Sequence, residues 1–306
     1  MLGTGRIARW RLHRRICLVV MSAAILLAAC QSIPSPAERL DHAAELAAAR
    51  AWIRHDNPAG EFTLVSFEPR AAATDDTLTV YIEGDGYAWL TPHKRSADPT
   101  PIDPLALRLA LAQPVGRVAY LARPCQFIGA QQPPCAKRYW SDGRFAAELI
   151  DASQLALDQI KARAAARRLI LVGYSGGGAI AVLLAAHRSD VASLVTVAGN
   201  LDHRAWAAHH RFTRLDGSLN PADFADQVAG LKQVHFTGAR DEVVPPALAQ
   251  RLPAGLIGAG ARNLHVVPNV DHRCCWVEHW PALWQEIQRS VTRAGWVEFP
   301  ADDACG

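Results

Sequence analysis

The chain has 306 residues, half of them hydrophobic and a fifth charged, with 32 Lys and Arg against 29 Asp and Glu and a formal net charge of +3. That composition excludes a disordered or collagen-like chain, and the near balance of charge, with no basic stripe, gives no footing for nucleic-acid binding. Much of the positive excess sits in the first fifteen residues, so the remainder is close to neutral.

Arg6, Arg9, Arg11, Arg14 and Arg15 form a basic region, followed by an uncharged stretch from Ile16 to Ala29. Such a stretch is short of the roughly twenty residues a bilayer span needs, so residues 1–29 read as a cleaved export signal. Leu27-Ala28-Ala29-Cys30 resembles the lipobox of bacterial lipoproteins. The resemblance implies cleavage before Cys30 and acyl chains on that residue; two or more chains anchor stably where one is marginal. No Asp follows Cys30, which in that family points to the Gram-negative outer membrane, facing the periplasm. An ordinary signal peptide cut elsewhere, or an uncleaved anchor, is the competing reading. Residues 30–37, with Pro34 and Pro36, read as a lipidated tether, and Glu38 to Arg54 as an Ala-rich amphipathic helix. The body, residues 38–306, suits one domain with a large core.

Strands and helices then alternate, the mark of an α/β protein with a mainly parallel sheet. Phe62–Phe67, Leu78–Ile82, Arg117–Ala122, Leu169–Val172, Val191–Val197, Leu231–Thr237 and Leu264–Val267 are predicted strands. Ile102–Ala112, Phe145–Ala166, Ala179–Ala186 and Pro281–Arg293 are predicted helices. Residues 200–229 break the rhythm, with Asp202, His203, Trp206, His209, His210 and Phe212 ahead of a turn-rich run. They read as a small lid-like or substrate-contact insertion, or as a connection that packs its aromatics down.

Between the apolar strand ending at Val172 and the helix from Ala179 lies Gly173-Tyr174-Ser175-Gly176-Gly177, which fits G-x-S-x-G. In that motif a serine on a tight strand-to-helix turn has its hydroxyl pushed out of the fold. The N–H of Gly176 then points to where a substrate oxyanion develops, near the positive end of the helix. The plain alternative is a Gly-rich turn that packs helix on sheet or holds a phosphate.

With this elbow in its strand–turn–helix setting, the chain resembles the α/β-hydrolase family. The resemblance implies the order nucleophile, acid, base. Asp241, just past the strand ending at Thr237, is the expected acid, preferred to Glu242; His272, in the loop after the last strand, is the expected base. The second oxyanion donor is expected in Glu83-Gly84-Asp85-Gly86-Tyr87-Ala88-Trp89, from Asp85 or Gly86. There Glu83 departs from the His usual in the family, and a charged Asp85 beside an oxyanion would repel it unless its carboxylate turns elsewhere. Tyr87, Trp89 and Tyr174 are expected to contact substrate. Further blocks, Leu121-Ala122-Arg123-Pro124-Cys125, Tyr139-Trp140, Ala198–His203 and Asp271-His272-Arg273-Cys274-Cys275-Trp276, resemble a group of bacterial α/β-hydrolase lipoproteins.

Of seven cysteines, Cys17 leaves with the signal and Cys30 carries lipid. Cys125 and Cys135 flank a short loop and are expected to pair. Cys305 pairing with Cys274 or Cys275, and a vicinal Cys274–Cys275 bond, both stay open. Asp271, His272, Cys274 and Cys275 lack the spaced ligand pairs of a zinc site; no metal or cofactor is expected. The expectation is thus a membrane-anchored serine hydrolase acting on a small acyl substrate, most simply a carboxylic ester. Amides, thioesters and acyl transfer need the same groups, and a catalytically silent envelope lipoprotein that binds a ligand or partner is the contrasting class.

Overall fold

Aliphatic and β-branched runs with no polar alternation favour strands covered on both faces, and they assemble here into one eight-stranded sheet. In this computed structural model residues 33–70, 76–91, 93–129, 132–258 and 262–292 are described. The chain divides into two compact units, Met1–Ser35 and Pro36–Gly306. Of the first only residues 33–35 are described, so the expected signal segment, Cys17 and Cys30 lie outside the described residues, as does Cys305.

The second unit opens with α1 (Pro36–Ala48), then β1 (Trp52–Ala59), β2 (Phe62–Pro69) and β3 (Thr77–Ile82). A small hairpin follows, β4 (Trp89–Thr91) and β5 (Lys94–Arg95), and then α2 (Leu105–Ala112), β6 (Arg117–Leu121) and α3 (Ala147–Arg163). The centre is β7 (Arg168–Tyr174), α4 (Gly176–Ala186) and β8 (Val191–Val197). The insertion carries α5 (His203–His210) and α6 (Ala225–Val228), and the chain continues through β9 (Lys232–Gly238), α7 (Pro246–Ala249), α8 (Ala254–Ile257), β10 (Leu264–Val267) and α9 (Trp276–Thr292). The sheet order is β1-β2-β6-β3-β7-β8-β9-β10, with β2 antiparallel to its neighbours and the rest parallel. Parallel strands with right-handed crossovers bring their carboxyl ends to one edge, where sites of such folds collect.

Two apolar layers sandwich the sheet. On one side α3 and α4 pack through Leu149, Ile150, Leu157, Ile160, Ile180 and Leu183. On the other, α1, α2 and α9 pack through Ala43, Leu107, Leu109, Trp276, Trp280 and Ile287. Trp280 is fully buried and donates its indole N–H to the hydroxyl of Tyr81 at 2.9 Å, so the polar ends of both rings are satisfied in the core. Among the described residues no helix is long and apolar enough to cross a membrane.

Two expectations about element boundaries fail. The first helix stops at Ala48 rather than Arg54; Ala51 takes φ +56°, and Trp52-Ile53-Arg54 pair with Pro69, Glu68 and Phe67 as an edge strand. Alanine-rich local propensity gives way there to the hydrogen bonds of an open sheet edge, and Pro58 sits where an edge tolerates it. The last helix begins at Trp276, five residues before Pro281, because Trp276 and Trp280 complete its buried stripe.

Cys125 and Cys135 form a disulfide with Cα atoms 5.7 Å apart, closing the loop that follows β6. Replacing both by serine is expected to lower unfolding free energy by about 2–3 kcal/mol, the loop-closure contribution for so short a ring, measured by urea titration of the double variant against the parent chain.

Candidate active site

β7 runs into α4 through Ser175, whose backbone has φ +51° and ψ −118°. Such a conformation is strained for a residue with a side chain. It is held by Ser175 N–H donating to Val197 O at 2.9 Å and by Gly178 and Asn200 N–H donating to Ser175 O. Glycine is required on both flanks: a Cβ at Gly173 would fall into the Gly177 carbonyl, and one at Gly177 into the carbonyls of Ile82 and Glu83. The elbow therefore lifts the Ser175 hydroxyl from the sheet's carboxyl edge.

Two loops bring partners to it. Past β9, Asp241 is buried; its Oδ1 accepts the N–H groups of Val243 and Val244, each at 2.8 Å. Its Oδ2 lies 2.9 Å from His272 Nδ1, and His272 Nε2 lies 3.0 Å from Ser175 Oγ. An ionised carboxylate only accepts, so Nδ1 carries the proton and Nε2 is left to accept from the serine hydroxyl. The His272 carbonyl accepts Tyr174 Oη–H at 3.0 Å and the Trp276 indole N–H at 3.3 Å. Burial pushes the Tyr174 phenol far up, keeping it a donor. Asp271 makes no hydrogen bond to the ring among the described residues; its Oδ1 caps the loop by accepting from Arg273 and Cys274 N–H. Cys274 and Cys275 are joined in the vicinal disulfide rather than through Cys305.

The oxyanion loop follows β3. Glu83 occupies the floor, fully buried: Oε1 accepts from Gly84 N–H at 2.8 Å and from Ala106 N–H, and Oε2 from Tyr120 Oη–H at 3.2 Å. Burial outweighs those bonds and raises the carboxyl to about 7. With Gly84 N–H engaged, Asp85 and Gly86 remain as donors beside Gly176, and no bond from these three N–H groups to protein occurs among the described residues. Asp85 lays its carboxylate close against Gly176, where it pairs with two buried arginines. Arg123 Nη1 donates to Oδ1, Arg144 Nη1 to Oδ2 at 2.6 Å, and Arg123 Nη2 to the Arg144 carbonyl. Burial alone would raise this carboxyl, but Arg144 and Arg123 together hold it at about 2. Two guanidiniums outnumber this one carboxylate, so its charge beside Gly176 is offset by its own partners.

The cleft above Ser175 measures about 390 Å³ and is lined by Tyr87, Trp89, Ile102, Tyr174, Val243 and His272, among others. The expected substrate contacts Tyr87, Trp89 and Tyr174 all reach it. A wider hollow of about 860 Å³ against α3 and Asp190 lies in charged surface; Ser189 and His187 line it, with no hydrogen bond between their side chains among the described residues. No residue of 200–229 lines the catalytic cleft. The insertion reaches it at one remove: Trp206 Nε1–H and His210 Nε2–H both donate to the carbonyl of Val243, at 2.7 and 2.9 Å. The arginine pair and the Val243 clamp were not foreseen. Arg123 stood within a block that resembles the lipoprotein group, but nothing in sequence tied it to Asp85.

No protein-family model matches the chain, and no curated protein matches it. Among solved structures, the esterase Est1E from Butyrivibrio proteoclasticus superposes with TM-score 0.53 at 14% identity, covering 78% of this chain and 99% of that one. An esterase from Pyrococcus furiosus, Pf2001, gives 0.56 at 12%, covering 80% and 92%. Puromycin hydrolase gives 0.53 at 16%, covering 78% of this chain and 39% of that one. The chain has the α/β-hydrolase fold. Within that fold, Ser175, Asp241 and His272 stand after β7, β9 and β10, at the carboxyl edge.

Removing the carboxylate in Asp85→Ala leaves two buried guanidiniums uncompensated and is expected to cost about 3–5 kcal/mol of stability, read by urea titration. Glu83 gives an opposite signature. Between about pH 4.5 and 7 the folded chain keeps a proton that the unfolded chain has released, so stability falls as pH rises through that window and levels above it. Glu83→Gln is expected to remove roughly 3 kcal/mol of pH-dependent difference, measured as the stability gap between the two proteins from pH 4.5 to 8.

Proposed function

We propose that the chain is a membrane-anchored serine hydrolase that cleaves an acyl bond, most simply a carboxylic ester. The reading is carried by one observation: the continuous hydrogen-bonded line Ser175–His272–Asp241 at the floor of a cleft, with a strained elbow presenting the serine. The esterases among the structural neighbours agree with this reading.

Each group has one task. Ser175 Oγ attacks the carbonyl carbon while its proton passes to His272 Nε2, and Asp241 stabilises the imidazolium through Nδ1–H. The tetrahedral oxyanion receives the N–H groups of Gly176 and of Asp85 or Gly86, with the positive end of α4 and the surplus charge of Arg123 and Arg144 behind them. His272 then returns its proton to the leaving alkoxide. Water, activated by the same imidazole, releases the acid and regenerates Ser175. An ester, whose leaving alkoxide asks little of protonation, suits a cleft walled by Tyr87, Trp89 and Tyr174. Anchoring rests on the Leu27–Cys30 lipobox, with the body tethered through residues 30–37 at the outer membrane's periplasmic face.

A fluorophosphonate is expected to label the folded protein at Ser175, located by peptide mass. Ser175→Ala is expected to lower turnover of p-nitrophenyl esters by roughly 10³-fold or more. Equal rates for the two proteins, or label absent from Ser175, would refute the assignment.

A further inference from the structure

The cleft is lined by charged residues, Asp103 and Arg273 among them, and by exposed apolar ones. Nine large apolar side chains are exposed among the described residues, and three of them, Trp89 (36%), Ile102 (39%) and Val243 (43%), line this one cleft. A fourth, Leu90 (40%), follows Trp89. Clustering of that kind at one opening marks a binding surface, where scattered single residues would not.

Trp89 and Leu90 belong to the hairpin β4–β5, which pairs with no strand of the main sheet and whose strand residues are all exposed. Its base is closed by Ser96 N–H donating to Ala88 O at 2.9 Å. Across the hairpin Trp89 faces Arg95, whose guanidinium carbon stands 5.8 Å from the indole centroid and which also pairs with Asp142 at 3.1 Å. Lys94 faces Thr91 and has no carboxylate partner among the described residues. Indole and leucine beside lysine and arginine suit a membrane–water interface: rings settle at headgroup depth, and cations meet lipid phosphate.

The start of the second unit lies on the same flank. Arg39, in the first turns of α1, is buried and donates from Nη1 to the carbonyls of Thr100 and Asp98; its guanidinium lies 5.4 Å from the Tyr87 ring. Asp98 stands just past Ser96, at the foot of the hairpin. Six peptide links separate Cys30 from Pro36, a reach of about 20 Å at most. A lipid on Cys30 would thus tether the start of α1 to a bilayer by a short length of chain.

We propose that the hairpin Trp89–Arg95 is a membrane-docking element. Trp89 and Leu90 enter the headgroup layer of an anionic bilayer, Lys94 and Arg95 meet its phosphates, and the cleft mouth is held to the lipid surface, so that the acyl substrate is one dissolved in the membrane. This rests on the anchored-hydrolase reading and adds to it the place from which substrate enters.

The test uses the full lipidated chain, purified from a Gram-negative host and reconstituted in vesicles of phosphatidylethanolamine and phosphatidylglycerol at about 3:1. It compares the parent chain with Leu90→Asp/Lys94→Glu and with Leu90→Phe; neither position lines the cleft. In vesicles, amide exchange across residues 88–96 is expected to be at least tenfold slower in the parent and in Leu90→Phe than in the double variant. The double variant should keep its rate on water-soluble p-nitrophenyl acetate within twofold and lose about tenfold on a long-chain ester dissolved in the vesicles. Equal exchange in all three proteins overturns the proposal, as does an equal loss on both esters. Slowing that depends on protein concentration without vesicles also overturns it, by assigning the hairpin to a second copy. Should the parent turn over no ester, the hydrolase reading fails and the exchange arm alone decides docking. A chain that vesicles do not retain removes the anchor and the proposal together.

Discussion

One imidazole joins three distant segments of this chain, and the rest of the site depends on it. His272 reaches Asp241 through Nδ1 and Ser175 through Nε2, at 2.9 and 3.0 Å. Those two bonds have meaning only if the ring is fixed in one orientation. The surroundings fix it at the backbone: the His272 carbonyl takes the Tyr174 hydroxyl, and so couples His272 to the residue beside Ser175. Asp241 is fixed in turn by two N–H groups of its own loop, which satisfy one carboxylate oxygen and leave the other for the ring. The arrangement is organised before any substrate arrives, the condition under which electrostatic stabilisation is largest.

Charge around the oxyanion corner follows the same logic at a lower level. Two carboxylates lie within a few residues of the nucleophile's neighbours, and their surroundings push them apart. Glu83 has only neutral donors and is raised to about 7; Asp85 has two guanidiniums and is held at about 2. The first can sit under the loop as a neutral hydrogen-bonding strut at moderately acid pH. The second stays charged and cancels part of the arginine field. A corner built this way holds two guanidiniums beside Gly176 without leaving either unpaired in the interior.

The insertion after β8 also takes its meaning from this loop geometry. Residues 200–229 line none of the cleft, yet Trp206 and His210 converge on the carbonyl of Val243, whose side chain does line it and whose N–H holds Asp241. The segment thus bears on the wall of the cleft and on the acid through a single residue. Its internal ties, Asp202 capping α5 and Asn220 bridging Asp202 to the His203 N–H, hold it as a unit.

Much of this was legible in the amino-acid order. Periodicity marked nearly all the parallel strands, because strands buried on both faces must be continuously apolar. The elbow was readable in the G-x-S-x-G letters, where only glycine fits two positions at which backbone passes backbone, and Asp241 and His272 were expected from the order that the α/β-hydrolase resemblance implies. Other features depended on pairing across the fold. β1 exists because an exposed sheet edge offered hydrogen bonds to Trp52–Arg54, residues that follow directly on an Ala-rich helical run and read in sequence as its continuation. Arg123 and Arg144 found Asp85 across 38 and 59 residues of sequence, and a charged residue in a string of letters carries no sign of which opposite charge it will meet. The order of residues determined which chemistry was present and where along each strand it would stand; only the folded chain decided which charges face one another, because burial and distance, the two quantities that set electrostatic energy, exist only in three dimensions.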